Sequence, residues 1–418
     1  VLTMVKLFWI CTFVIFFCVL PADYSPKSFA TAGAKVDQEI IDSVSEFSFS
    51  LFLKIAEDEN NKNVFISPLS VAQILTLTAN GAGGKTRQSM LAALKLDKFD
   101  FSRINQAYRD IKQLRNAFDP KVRLDIANSL WTDQKFVLKE RFLKVSTASY
   151  GAKVSSLDFA DKASIDAINN WVSENTGGKI QKIVENLEPD SSLVLLNAVY
   201  FKGDWSEKFD KKVTQSKAFE LAGGNKKQVP MMSKRNSFSY LEESEFQAVE
   251  LPYGEGRIKM RVFLPGLNSS LEAFCRQLTP ANWKMWRGKF SARGGYLELP
   301  RFKINYDKEL SEILKNLGMS SAFEREKANF SNMLEPLTRQ NLLLKSTYID
   351  AVLHKAFVDI NEEGAEAAAA TSVLVMSQAE PKVRPSPAFT MIVERPFFFA
   401  IDDTESGILL FLGLIYNP

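Results

Sequence analysis

The chain has 418 residues, 46% of them hydrophobic, and its 52 Lys and Arg against 49 Asp and Glu give a formal net charge of +3. So even a balance does not support nucleic acid as the main partner. With one histidine and three cysteines, a His/Cys metal cluster is not expected, and any nucleophile–histidine site would have to use His354.

The first methionine is Met4. Lys6 followed by LFWICTFVIFFCVL reads as a basic segment and an apolar core, and Pro21-Ala22 offers a cleavage point before Asp23. The apolar run is shorter than the ~18 residues a membrane span needs, so residues 1–22 are expected to be a secretory signal, with an uncleaved signal anchor as the competing reading. No later segment is long and apolar enough to cross a bilayer. Loss of the leader removes Lys6, leaving a charge of +2, and removes Cys11 and Cys18. Cys275 then stands alone in LEAFCRQL, where it is expected to pack on an apolar helix face. Without disulfides, a secreted chain must rely on a large core.

Ile40, Ile41, Val44, Phe47, Leu51 and Ile55 have helical spacing and predict an amphipathic helix near residues 38–56, broken by Asn60 to Asn63. Val64 to Ile66 predicts a short strand. Ser67-Pro68 predicts a helix start, with the serine able to cap and the proline suited to the first position, and this helix ends near Asn80-Gly81. Another helix begins at Thr86 and runs through Met90 and Leu94. Asp100 to Phe118 reads as a helix carrying Arg103, Arg109, Lys112 and Arg115, with Asp110 among them, and a solvated face is the favoured reading. Ser164 to Thr176 is a helix stopped by Gly177-Gly178.

SSLVLLNAVY, from Ser191 to Tyr200, is apolar on both faces and predicts a buried central strand. Val249 to Leu264 is strand material around the turn Gly254-Glu255-Gly256. Tyr296 to Ile304 is a strand interrupted by Pro300, and Asp307 to Leu317 is expected to be helical. Ile349 to Ile360 is a strand, and Phe397 to Ile415 gives two strands around Thr404 to Gly407. Asn268 and Asn329 open N-glycosylation sequons. Length alone suggests two or three domains, yet no linker, charge block or repeat divides the chain.

The stretch NEEGAEAAAATSVLVMSQAE, Asn361 to Glu380, carries two readings. By propensity Gly364 to Ala370 is helical. With period two, Ala365, Ala367, Ala369 and Thr371 share one face of small residues, and Glu366, Ala368, Ala370 and Ser372 share the other. Such a strand could enter an existing sheet without overpacking it. The following EPKVRPSPAF is too rich in proline for a regular helix or a central strand.

This stretch resembles the reactive-centre hinge of inhibitory serpins. NVFISPLSVAQIL, INNWVSENTGGKI, LLNAVYFKGDW, LHKAFVDINEEGAEAAAAT and ERPFFFAIDDTESGILLFLG resemble serpin signatures in serpin order. The resemblance implies an α+β fold of mixed sheets with surrounding helices, a single domain over residues 23–418, and an exposed reactive-centre loop at about 362–390. It implies a secreted, monomeric suicide inhibitor of a serine protease, or of a cysteine protease, held in a covalent complex. Neither catalysis of its own nor a cofactor or metal is implied. A non-inhibitory carrier or chaperone is the alternative, against which the small hinge residues count.

By the same resemblance, Glu362, Glu363, Gly364, Ala365, Glu366, Ala367, Ala368, Ala369, Ala370 and Thr371 form the hinge. His354 bonds with Asn197, Ser67 and Ser70 beneath the main sheet. Arg301 pairs with Glu362, where the family usually has lysine, and Trp205 lies under the point where insertion begins. Counting from Gly364 places the scissile bond at Gln378-Ala379, with Met376, Lys382 and Arg384 as alternatives. In some serpins the helix matching residues 100–118 binds heparin-like polyanions, so a glycosaminoglycan is a weaker partner expectation.

Overall fold

The apolar spacing near the start of the chain does form a helix, α1 (Gln38–Glu59), whose buried face carries Ile40, Ile41, Val44, Phe47, Leu51 and Ile55. The Asp37 carboxylate caps it, and Asn60 and Asn61, at φ +42° and +66°, end it. The computed structural model describes residues 36–116, 118–335, 347–365 and 388–418. After α1 come β1 (Val64–Ile66), α2 (Pro68–Gly81), α3 (Gly84–Ala93) and α4 (Phe101–Asn116). Pro68 opens α2 as expected, but the Ser67 side chain makes no cap bond; instead Ser70 Oγ lies 2.9 Å from the Ser67 carbonyl.

Next are β2 (Val122–Asp133), α5 (Glu140–Val145) with a π-helical turn over Ser146–Tyr150, β3 (Lys153–Leu157), α6 (Ala163–Asn175) and β4 (Leu193–Asp204). Then follow β5 (Gln215–Glu220), β6 (Lys226–Glu242), β7 (Phe246–Pro252) and β8 (Ile258–Pro265), and the short helices α7 (Leu271–Cys275) and α8 (Pro280–Arg287). Cys275 is buried in α7, and burial pushes its thiol up to about 12, so it is packing material rather than a nucleophile.

After β9 (Ser291–Pro300), the segment expected to begin a helix at Asp307 is instead the end of a strand, β10 (Phe302–Glu309). Phe302, Ile304 and Tyr306 are buried while Lys303, Asn305 and Asp307 are exposed, a period of two that outweighs helix propensity once the segment pairs with β11 (Ile349–Asn361). The helix starts only at Ser311, whose backbone N–H donates to Glu309 Oε1 at 2.9 Å. Past β11 lie β12 (Gly364–Ala365), β13 (Phe389–Ile392), β14 (Phe397–Asp403) and β15 (Leu409–Ile415).

Among the described residues the strands form two sheets. A nine-stranded sheet runs β1-β15-β14-β8-β7-β6-β9-β13, with β5 on β6, and a six-stranded sheet runs β10-β11-β12-β4-β2-β3. The second sheet is buried on both sides. Leu193, Leu195, Val199 and Phe201 of β4 face the main core with α2, while Val194, Leu196, Ala198 and Tyr200 face Ile168 and Val172 of α6. That two-sided burial is why β4 reads as a continuous apolar run.

Candidate functional site

Between Ile349 and Phe357, β11 runs parallel to β4, with His354 opposite Asn197. Above Phe357 the pairing stops and β12 enters between the two strands. Ala365 lies between Ile360 and Gly203, and Gly364 between Asn361 and Asp204, antiparallel on both sides. Ala365 is fully buried. A Cβ on Gly364 would lie 2.0 Å from the Gly203 carbonyl oxygen, and the residue has φ +145°, so only glycine fits this crossing. The helical reading therefore fails at Gly364 and Ala365, which are strand. The remaining expected hinge residues, Glu366, Ala367, Ala368, Ala369, Ala370 and Thr371, lie outside the described residues, as do Met376, Gln378, Ala379, Lys382 and Arg384.

The turn feeding β12 is held carbonyl by carbonyl. Trp205 Nε1 donates to Asn361 O at 2.9 Å, Phe209 N–H to Glu362 O at 2.9 Å, and Trp205 N–H to Glu363 O at 2.8 Å. The Trp205 ring stacks on Tyr253 at 4.3 Å between centroids, so it is both core packing and a clamp for the turn. Glu362 is buried; it accepts from Thr214 Oγ1 at 2.7 Å and faces Arg301 Nε at 3.6 Å. Arg301 therefore contributes an ion pair, with the direct hydrogen bond coming from Thr214. The Glu363 carboxylate is bonded to Lys208 and, at 2.9 Å, to Lys211, and these two ammonium groups hold its pKa below the usual carboxylate range. Thr214, Lys208, Lys211 and Tyr253 carry no local sequence signal for these roles.

Beneath the seam, His354 Nδ1 lies 2.6 Å from Asn197 Oδ1, and Asn197 Nδ2 donates to Asn128 Oδ1. Asn128 Nδ2 donates to the Ser70 carbonyl at 3.2 Å, and Ser70 Oγ lies 2.9 Å from Asn197 Oδ1. His354, Asn197 and Ser70 thus come together as expected. Ser67 joins through its backbone carbonyl, and Asn128 is a member that the sequence reading missed. Because Asn197 Oδ1 can only accept, His354 Nδ1 carries the proton. Nε2 is then a buried acceptor without a hydrogen-bond partner among the described residues.

Burial holds His354 far down, at about 3 against an ordinary 6.5. Between those values the unfolded chain binds a proton there that the folded chain does not. Stability is therefore expected to fall as pH falls through that window, by up to about 1.4 kcal/mol per pH unit from this residue. Thermal midpoints from pH 7 to 4 should fall less steeply in His354→Gln; parallel curves for the two proteins would refute the assignment.

The cations of α4 lie on a partly solvated face, as expected, but Arg103, Arg109 and Lys112 are bonded within the protein. Arg103 pairs with Asp37 and Glu39. Arg109 donates to Ser149 Oγ at 2.9 Å and Lys112 to Thr147 O at 3.1 Å, so both tie α4 to the π-helical turn that follows α5. Arg115 is largely buried, which lowers its guanidinium pKa. Asn268 and Asn329 are both exposed, as carbohydrate attachment requires. Among the described residues no helix is long and apolar enough to cross a membrane, and no group of His, Cys, Asp and Glu could hold a metal ion.

A family model described as serpin (serine protease inhibitor) matches residues 42–418. Human serpin B8 is 35% identical over 380 residues, covering 89% of this chain and 97% of that protein. The native state of tengpin, a thermophilic serpin, superposes with a TM-score of 0.83 at 29% identity, covering 92% of this chain and 95% of that one. Native protease nexin-1 with heparin superposes with a TM-score of 0.79 at 26% identity, covering 91% and 100%. The chain belongs to the serpin family and has the serpin fold.

Proposed function

We propose, with that membership as premise, that this serpin is a secreted single-domain inhibitor. It would trap a serine protease, or a cysteine protease, as a covalent acyl-enzyme by drawing the arm that begins at Gly364 into the six-stranded sheet. The observation that carries this reading is β12: Gly364 and Ala365 are already paired on both sides, at the mouth of a seam whose lower part is closed. A protease that cuts beyond the hinge frees the arm to extend that strand. Insertion then competes with hydrolysis of the acyl-enzyme, and the native state persists because its barrier is high. No residue of the chain itself is assigned catalysis. Secretion rests on the apolar run after Lys6.

The register gives the length of the slot. If β12 were extended against β4 in the same register, Thr371 would fall opposite Asn197 and Val375 opposite Leu193. Extended against β11, Thr371 would fall opposite His354 and Met376 opposite Ile349. The two extrapolations agree, and the slot ends at residues 375–376. A bond at Gln378-Ala379 leaves a short tether to the acylated residue, whereas Arg384 lies eight residues beyond Met376 and leaves slack. Productive trapping is therefore expected after Gln378, with Met376 next, and simple cleavage after Lys382 or Arg384.

Incubation with a protease panel should give a band stable to denaturing electrophoresis, and mass spectrometry of the released C-terminal fragment should show Ala379 at its start. A fragment from the trapped complex beginning at Pro385 would overturn the bond assignment. Cleavage by every protease without a stable band would overturn the inhibitory reading in favour of a carrier. A glycosaminoglycan on the partly exposed face of α4 is the weaker part of this reading, because Arg103, Arg109 and Lys112 would first have to give up bonds within the protein.

A further inference from the structure

We infer that the Asp350 carboxylate is a clip across the base of the β4–β11 seam, and that completing insertion requires this clip to break. The inference rests on the insertion reading above and names the residue that gates its last stage.

The parallel ladder between β11 and β4 is irregular at one place, its lower end. Ile349 pairs with Leu193, but the next pair is Ala351 with Val194, so Asp350 bulges out of register. Its side chain takes over where the ladder breaks. Asp350 Oδ2 accepts from the backbone N–H of Ser192 at 2.5 Å and of Leu193 at 3.0 Å. These are the last residue before β4 and the first residue in it. Asp350 is a residue of β11, so both bonds cross the seam. An ionised carboxylate accepting two backbone N–H groups makes stronger bonds than the neutral ladder it replaces.

The seam is thus wedged at the top by β12 and pinned at the bottom by Asp350. A strand inserted down to residues 375–376 separates β4 from β11 by a second spacing of about 4.8 Å. Aspartate has a single methylene between its backbone and its carboxylate, and cannot follow. The arm can reach the His354–Asn197 level, where residue 371 falls by register, with the clip intact. It cannot pass residues 375–376 with the clip intact. The bulge therefore separates an early stage of insertion from a late one. The groups around it are Tyr348, Ser191, Asp190 and Arg325, with Arg325 paired to Asp190 at 3.3 Å and lying over the Tyr348 ring. The Tyr348 and Ser191 side chains also hydrogen-bond the Asp350 carboxylate and so help to fix it at the seam.

The test uses the full-length protein and two synthetic peptides, one with the sequence of residues 366–376 and one with that of residues 366–371. Uptake is read by native gel and by the rise in thermal midpoint. In Asp350→Ala the long peptide should be taken up about tenfold faster than by the unsubstituted protein, since each 1.36 kcal/mol removed from the barrier is a factor of ten. The short peptide, which stops at the shutter formed by His354, Asn197, Asn128 and Ser70, should be taken up at an unchanged rate. Asp350→Asn, whose Oδ1 can accept both N–H groups, should restore most of the slow rate, and hydrogen exchange should show Ser192 and Leu193 protected in Asn but not in Ala. Cys275→Ala, a core truncation in α7 away from the seam, should accelerate neither peptide.

Equal acceleration of both peptides by Asp350→Ala would mean general loosening and would overturn the clip. Unchanged uptake of the long peptide would overturn it as well. If the unsubstituted protein and every variant take up neither peptide, the insertion reading itself fails and the clip with it.

Discussion

Cleavage of the loop after Gln378 should raise the thermal midpoint by more than about 10 °C, because each kcal/mol moves the midpoint of a chain this large by only roughly 1–2 °C and the expected gain is many kcal/mol. The gain comes from exchanging the single parallel β4–β11 ladder for antiparallel pairing on two sides. Below Ala365 the inserted arm would find the edges of β4 and β11, both bordered by buried apolar side chains. Its small-residue face, with Ala367, Ala369 and Thr371, continues the parity of Ala365, which is fully buried towards the α2 core. Nicking an ordinary surface loop is neutral or destabilising, since it only frees chain ends. A calorimetric scan before and after cleavage decides the matter, and an unchanged or lower midpoint would remove the insertion mechanism.

The second large effect should come from charge placed on the buried face of the arm. Ala367→Arg and Thr371→Arg each require a guanidinium to enter the sheet without a partner, and Ala365→Arg sets one where β12 is already buried, at a cost of several kcal/mol each. For residue 371 the site is defined by two registers: it would fall between His354 and Asn197, beside a network whose polar atoms are already paired except His354 Nε2. The trapped fraction in these three variants should fall at least about tenfold while cleavage continues at the same bond. Glu366→Arg, on the opposite parity, should retain most trapping. A gel densitometry series on all four variants reads the ratio directly. Equal loss in Glu366→Arg would show that the period-two assignment of faces is wrong.

Much of the scaffold around the seam is legible along the chain. The α1 spacing, the Pro68 helix start, the apolar β4 run and the strand at Ile349 to Ile360 are local statements, and the fold agrees with each. Serpin-like signatures in serpin order point to the family along the chain, and to His354, Asn197, Ser70, Trp205, Glu362 and Arg301 as a group. The miss at Asp307 to Glu309 is instructive: three residues compatible with a helix form the end of β10 because β11 lies alongside them, and pairing outweighs a preference worth only a few tenths of a kcal/mol per residue.

What only the tertiary structure decided is who stands opposite whom. Asn128 enters the shutter because antiparallel pairing of β2 with β4 sets it against Asn197. Lys208, Lys211 and Thr214 reach the hinge carboxylates from segments some 150 residues earlier in the chain. The α4 cations look available in the sequence and are engaged in the fold, since their partners lie in other elements. Asp350 reads as one polar residue at the start of a strand until the bulge turns it towards the Ser192 and Leu193 amides. Periodicity reports the face a side chain takes, because that depends on a few neighbouring dihedrals. Register between distant strands depends on the packing of the whole sheet, and it is register that builds the seam, its shutter and its clip.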